Sequence, residues 1–217
     1  MEIDLLKKYP KSKRDLNTRV SKKSEEVVSI ACQFGEEFFD GHRDYGYGGF
    51  RYNSKYWQPV IPDFKKNYNL SSSSKVLDVG CAKGFMIYDF CKLIPGIQAE
   101  GIDISEYAIQ NCHEKVTNML RVANAKNLPF EDKSFDLVIS INTVHNLDLN
   151  DCIKSIKEIQ RVSNKNCFIT VDAYNNEEEK KRMLDWNLTA KTIMSVNEWK
   201  KLFKEIEYNG DYYWFIP

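Results

Sequence analysis

The residues with chemical potential in this chain stand at the ends of its apolar runs. Val76-Leu77-Asp78-Val79-Gly80-Cys81-Ala82-Lys83-Gly84 reads as a buried strand entering a turn of small residues and then a helix. Gly80, Ala82 and Gly84 let a ligand approach the backbone, at the carboxyl end of a strand where open α/β sheets bind ligands. A dinucleotide fingerprint needs G-x-G-x-x-G, and here Phe85 stands where the third glycine should be, which disfavours NAD. Asp78 is a second objection, because a carboxylate repels a pyrophosphate at close range and attracts a ligand that brings a cation. Asp103 lies nineteen residues past Gly84, at the end of the next strand pattern. A carboxylate there can accept hydrogen bonds from both hydroxyls of a ribose. The alternative is an acid that caps the following helix, a task for which Ser105 is placed instead. His145, just past the fourth strand pattern, is the best candidate for a general base, since an unperturbed imidazole of pKa about 6.5 accepts a proton at neutral pH. An imidazole bonded to loop backbone, with no chemistry, is the competing reading.

These residues need a parallel sheet to bring them together, and the pattern supplies one. Apolar runs at Val76 to Val79, Ala99 to Ile102, Leu120 to Ala123, Phe135 to Ile141 and Phe168 to Ala173 alternate with helical segments, which is the signature of βαβ units. Met86, Phe90 and Leu93 share one helical face, as do Cys152, Ile156 and Ile159. Ser195 and Glu198 form a capping box before a helix whose apolar face is Trp199, Leu202, Phe203 and Ile206, and Tyr212 to Ile216 reads as a last strand. Ahead of the sheet, Val27, Ala31, Phe34 and Phe38 predict one amphipathic helix over 22–39. A short helical piece between Pro59 and Tyr68 follows, and the serines at 71–74 mark a boundary. We therefore divide the chain into an N-terminal helical extension, 1–72, and a ligand-binding domain, 73–217, of Rossmann-like α/β fold with helices on both faces of a mostly parallel sheet.

The glycine turn resembles motif I of class I S-adenosylmethionine-dependent methyltransferases, D-x-G-x-G-x-G, with Ala82 in place of the middle glycine. Three further segments match in order: Gly101-Ile102-Asp103-Ile104-Ser105, Ala123-Asn124-Ala125-Lys126-Asn127-Leu128-Pro129-Phe130 and Ser134-Phe135-Asp136-Leu137-Val138. The region before them is similar to a looser subgroup of small-molecule (type 11-like) methyltransferases that begin with a YGYGG-like segment. The resemblance implies S-adenosylmethionine as cofactor and S-adenosylhomocysteine as product. It places Asp78 near the methionine ammonium, Asp103 at the ribose, Asn124 at the adenine, and Gly80, Cys81, Ala82, Gly84, Ile104 and Ala125 around the cofactor. Asn124 replaces the usual Asp, and a turn asparagine is its alternative. Asn142 is expected at the cofactor or acceptor from the same loop as His145.

The segment Tyr45-Gly46-Tyr47-Gly48-Gly49-Phe50-Arg51-Tyr52 is too aromatic for an idle linker. Its glycines suit a lid that closes on bound cofactor, with an aromatic clamp holding the first helix as the alternative. Arg51 could bind an anionic acceptor or the cofactor carboxylate, a surface salt bridge being the default. Asp172 and Tyr174, at the end of the fifth strand, could line an acceptor pocket. The 217 residues carry 31 Lys+Arg against 31 Asp+Glu, which offers no net field for a polyanion, so a nucleic-acid partner is not expected. No signal peptide, membrane span, zinc spacing or disulfide framework is evident, which predicts a cytoplasmic protein without a structural metal. The expected activity is methyl transfer to oxygen or nitrogen of a small polar metabolite, such as a sugar or amino compound. RNA methylation and a non-catalytic S-adenosylmethionine-binding module are the alternatives.

Overall fold

The structure, a computed structural model, describes residues 1–11, 15–48 and 50–217. Seven strands form the sheet: β1 Lys75–Val79, β2 Gln98–Asp103, β3 Leu120–Val122, β4 Phe135–Ile141, β5 Ser163–Tyr174, β6 Met194–Ser195 and β7 Asp211–Phe215. Their order is β3-β2-β1-β4-β5, and β5 pairs further with both β6 and β7. Each of these pairings is parallel, with Leu77 of β1 in register with Glu100 on one side and Val138 on the other. All carboxyl ends therefore face one way. The chain leaves β1 first toward β2 and later returns on its other side to β4, so the crevice between the ends of β1 and β4 is the topological switch point where ligands bind such sheets.

The β1 strand is central because Val76, Leu77 and Val79 are apolar on both faces and fully buried. One face is covered by α5 (Phe85–Leu93) through Met86, Ile87 and Phe90, and by α4 (Ile61–Tyr68) through Ile61 and Phe64. The other is covered by α7 (Leu149–Val162), whose Cys152, Ile156 and Ile159 are buried at the predicted spacing, and by α9 (Val196–Glu205), which buries Trp199 under the capping box of Ser195 and Glu198. Each fully buried Ile contributes about 2 to 3 kcal/mol. Completing the set are α6 (Glu106–Gln110), after β2, and α8 (Glu177–Trp186), after β5.

The N-terminal region departs from expectation. The predicted helix over 22–39 is two helices, α2 (Glu25–Ala31) and α3 (Glu36–Phe39), preceded by α1 (Leu16–Lys22), which the pattern did not reveal. Phe34 takes a left-handed φ of 50° and Gly35 an extended cap, so the chain turns between the two apolar clusters. Phe34 and Phe38 still meet edge to face at 5.2 Å, which is why their spacing imitated one continuous helix. The turn directs the Phe34 carbonyl at the Ser105 hydroxyl, and so docks the N-terminal region on the end of β2.

Candidate active site

At the end of β1 the chain runs through Gly80 at φ +88°, Ala82 at +49° and Gly84 at +72°. Gly80 must lack a side chain: a Cβ there would lie 2.1 Å from the Thr143 hydroxyl at the end of β4. The turn is held by amides of Gly80 and Cys81, which both donate to the Ile102 carbonyl, at 2.8 and 2.9 Å. The N–H of Ala82 donates to Asp103 at 2.8 Å and that of Ser105 to its other oxygen at 2.9 Å. Asp103 is therefore fixed with one lone pair on each oxygen committed. Burial pushes its carboxyl above the usual range, against the pull of the Ser105, Ala82 and Ile104 amides.

Asp78 is 5% exposed, and no described residue donates a hydrogen bond to its carboxylate. Burial, with repulsion from Asp103, pushes its pKa up to about 7. A buried carboxylate without a partner is costly, and an ammonium from a ligand fits this position. Just past the end of β2, Ile104 is an apolar side chain left 54% exposed, a surface on which a flat ring would fit. Cys81 is buried against the position where Gly101 lacks a side chain. Ala125 is buried nearby, while Asn124 is exposed and its side-chain oxygen accepts the Lys126 amide at 3.0 Å, the turn role foreseen as its alternative. Together these residues fit S-adenosylmethionine: Asp78 would face its ammonium, Asp103 its ribose and Ile104 its adenine.

A second group of polar residues gathers past the ends of β4 and β5. Asn142, at a left-handed φ of 50°, accepts the Thr170 hydroxyl on its side-chain oxygen at 2.8 Å. His145 sits in a short 3-10 turn, Val144–Asn146, and is 3% exposed. The Asp172 amide donates to its Nδ1 at 3.1 Å, while Nε2 lies 3.5 Å from Oδ1 of Asp172. Burial holds the imidazole below its ordinary value and the Asp172 carboxyl above its own, each partner opposing that shift in the other. Tyr174 is half-buried, with the Lys180 ammonium 5.6 Å from its ring centre.

The N-terminal region covers both groups. Tyr47 packs against both the Arg19 guanidinium and Trp186, over whose ring Arg19 also lies, and its hydroxyl accepts the Leu188 amide at 2.7 Å. Thr189 links this contact to Asn146, donating its hydroxyl at 2.9 Å. Arg19 is buried and donates to the carbonyls of Asp44 and Gly46, which fixes the path of the chain through half-buried Tyr45. Lys83, buried within the glycine turn, donates to Asp40 and to the Phe50 carbonyl. Arg51 is exposed at an open cleft of about 490 Å³ shared with Asp40, Phe50, Lys83 and Asn111. Gly49 of the proposed lid lies outside the described residues. Sequence reasoning missed Arg19, Asp40, Thr143 and Thr189. It passed over Lys83, whose length in a small-residue turn was the available signal. Among the described residues no helix is long and apolar enough to cross a membrane.

A family model for a methyltransferase domain matches residues 70–211. The chain is 35% identical over 133 residues to the tRNA (carboxymethyluridine(34)-5-O)-methyltransferase of Arabidopsis thaliana, a match covering 60% of this chain and 31% of that protein. It thus spans about a third of that relative's length. Among solved structures it resembles the MccD protein, with a TM-score of 0.52, 26% identity and coverage of 67% and 68% of the two chains. It shares the fold of a methyltransferase from Haloferax volcanii in complex with the Trm112 activator, with a TM-score of 0.54, 21% identity and coverage of 69% and 70%. The expectation against a nucleic-acid partner is corrected here: a relative named for tRNA methylation removes it, and balanced net charge describes the whole surface rather than the acceptor site. With motif I, the carboxylate-terminated β2 and the parallel sheet in place, the chain belongs to the class I S-adenosylmethionine-dependent methyltransferases.

Proposed function

We propose that this protein binds S-adenosylmethionine across the ends of β1 and β2 and transfers its methyl group to an oxygen or nitrogen of a small polar acceptor held past β4 and β5. The observation that carries the reading is the buried, unpartnered Asp78 carboxylate beside Asp103 at the switch point. When bound, the sulfonium supplies an already activated methyl group, so the protein's work is mainly positioning. Asp78 anchors the ammonium end, Asp103 the ribose through its remaining lone pairs, and Ile104 the adenine ring. Tyr47, Thr189 and Asn146 close the acceptor side and exclude water, with the segment around Tyr45 and Tyr47 acting as a lid whose closed form Arg19 secures. Six free thiols support a cytoplasmic setting.

A second reading, transfer to a tRNA nucleoside, is favoured by the Arabidopsis relative. Radiolabelled methyl transfer separates them: the protein is incubated with labelled S-adenosylmethionine and either bulk tRNA or a pool of small hydroxylated and amino metabolites. Label in the metabolite pool is expected. Label in tRNA alone establishes the second reading, and label in neither refutes methyl transfer to these acceptor classes.

A further inference from the structure

Asp172 is a second buried acid at the carboxyl edge of the sheet, and one of its oxygens has no donor among the described residues. Its side chain is 7% exposed; His145 Nε2 stands 3.5 Å from Oδ1, longer than a normal hydrogen bond, and no described residue donates to Oδ2. Its backbone is fully engaged: the N–H goes to His145 Nδ1, and the carbonyl accepts the Trp199 indole N–H at 2.9 Å. The cofactor accounts for the bare carboxylate of Asp78. It does not account for Asp172, which lies two residues beyond Thr170, the last β5 partner of β4.

The groups that face this carboxylate are His145 from the 3-10 turn and the Tyr47 phenol from the N-terminal region, with the Arg19 guanidinium behind Tyr47. Only His145 among them is an alternative proton acceptor near neutral pH. Its geometry removes it. Because Nδ1 accepts the Asp172 amide, the neutral ring carries its proton on Nε2 and has no free lone pair. Taking a proton would require the other tautomer, with an N–H turned against the N–H of Asp172.

We propose that Asp172 receives the N–H or O–H of the methyl acceptor and takes its proton during transfer, while His145 is a positioning residue that holds the end of β5 through Nδ1. This rests on the methyl-transfer reading above. In the step, a lone pair of the acceptor oxygen or nitrogen forms the bond to the methyl carbon. The sulfur–carbon pair remains on sulfur, which becomes a neutral thioether, and the acceptor's proton passes to Asp172. Two opposite charges, sulfonium and carboxylate, disappear together, a change that a dry site favours. The substrate class follows: a hydroxyl or a nitrogen that carries its own proton. An acceptor that is itself a carboxylate would be repelled. Burial, by raising the Asp172 carboxyl, brings it nearer the affinity a base needs at neutral pH.

The test uses the whole protein labelled with 13C in Asp carboxyls and 15N in His rings. In wild type, NMR should show Asp172, assigned by its loss in Asp172→Asn, titrating above an ordinary aspartate, and His145 as the neutral Nε2–H tautomer. With the pool that accepts label from wild type, Asp172→Asn should lower kcat by about 10²- to 10⁴-fold. It should also abolish the acid limb of the pH profile and leave S-adenosylhomocysteine binding intact. His145→Ala should lower turnover, and His145→Asn, whose amide oxygen can accept the Asp172 N–H, should restore most of it with the acid limb unmoved. Full turnover in Asp172→Asn, loss of the acid limb in His145→Asn, or an Nδ1–H tautomer in wild type overturns the assignment. If Asp172→Asn fails to fold, the wild-type tautomer and the His145→Asn profile still decide. Absence of S-adenosylhomocysteine binding by wild type would instead refute the underlying reading.

Discussion

Replacing Asp78 by Asn tests the electrostatics of the cofactor turn in the free protein. The carboxyl is displaced from 3.8 to about 7 in the folded state, chiefly by burial and then by Asp103. The folded pKa is the higher one, so its favourable contribution is complete below the unfolded value and is lost as the pH rises through about 7. Once ionised, the folded state carries a penalty of roughly 4 kcal/mol relative to the unfolded chain. An Asn of the same shape carries none of it. In urea unfolding without cofactor, Asp78→Asn should therefore be the more stable protein, by a margin that widens by about 2.5 kcal/mol between about pH 5 and about pH 8. S-adenosylhomocysteine should narrow the margin, because its ammonium offsets the penalty in wild type only. A margin that stays flat with pH, or an Asn variant less stable than wild type at about pH 8, would refute the reasoning.

Three further outcomes follow from the same geometry. Gly80→Ala sets a Cβ 2.1 Å from Thr143 at φ +88° and should cost about 1 to 3 kcal/mol in chemical denaturation, an unchanged midpoint being the contrary result. Ile104→Ser alters a side chain that is mostly exposed, so folding stability should move by less than about 0.5 kcal/mol. Its S-adenosylhomocysteine affinity should nevertheless fall by about 1 kcal/mol by calorimetry, and equal affinity removes the adenine platform. The amides of residues 42–48 should exchange faster without S-adenosylhomocysteine than with it, whereas equal protection favours a static clamp of Tyr47 by Arg19 and Trp186.

The sheet was legible because its strands are buried on both faces and read as apolar runs, and because the switch from strand to helix at Gly80 and Gly84 requires small residues. The position of Asp103 at the end of β2 was legible for the same local reason. What failed depended on contacts between distant segments. The predicted 22–39 helix broke at Phe34 because its carbonyl is taken by Ser105, a partner 71 residues away. Arg19 has no local signature, since its role is set by the carbonyls of Asp44 and Gly46. The placement of His145 beyond β4 could be read from the chain, but the state of its ring could not, since that depends on the amide of Asp172 in a neighbouring strand.

The central claim is that Asp103 and the turn it braces hold S-adenosylmethionine, and calorimetry with S-adenosylhomocysteine tests it most directly. Wild type should bind with one-to-one stoichiometry and give no heat with NAD. Asp103→Asn keeps one acceptor oxygen for the turn but loses the charge, and should weaken binding by about 1.5 to 3 kcal/mol, roughly 10- to 150-fold. Wild-type affinity in a folded Asp103→Asn, or heat from NAD and none from S-adenosylhomocysteine, would contradict the account.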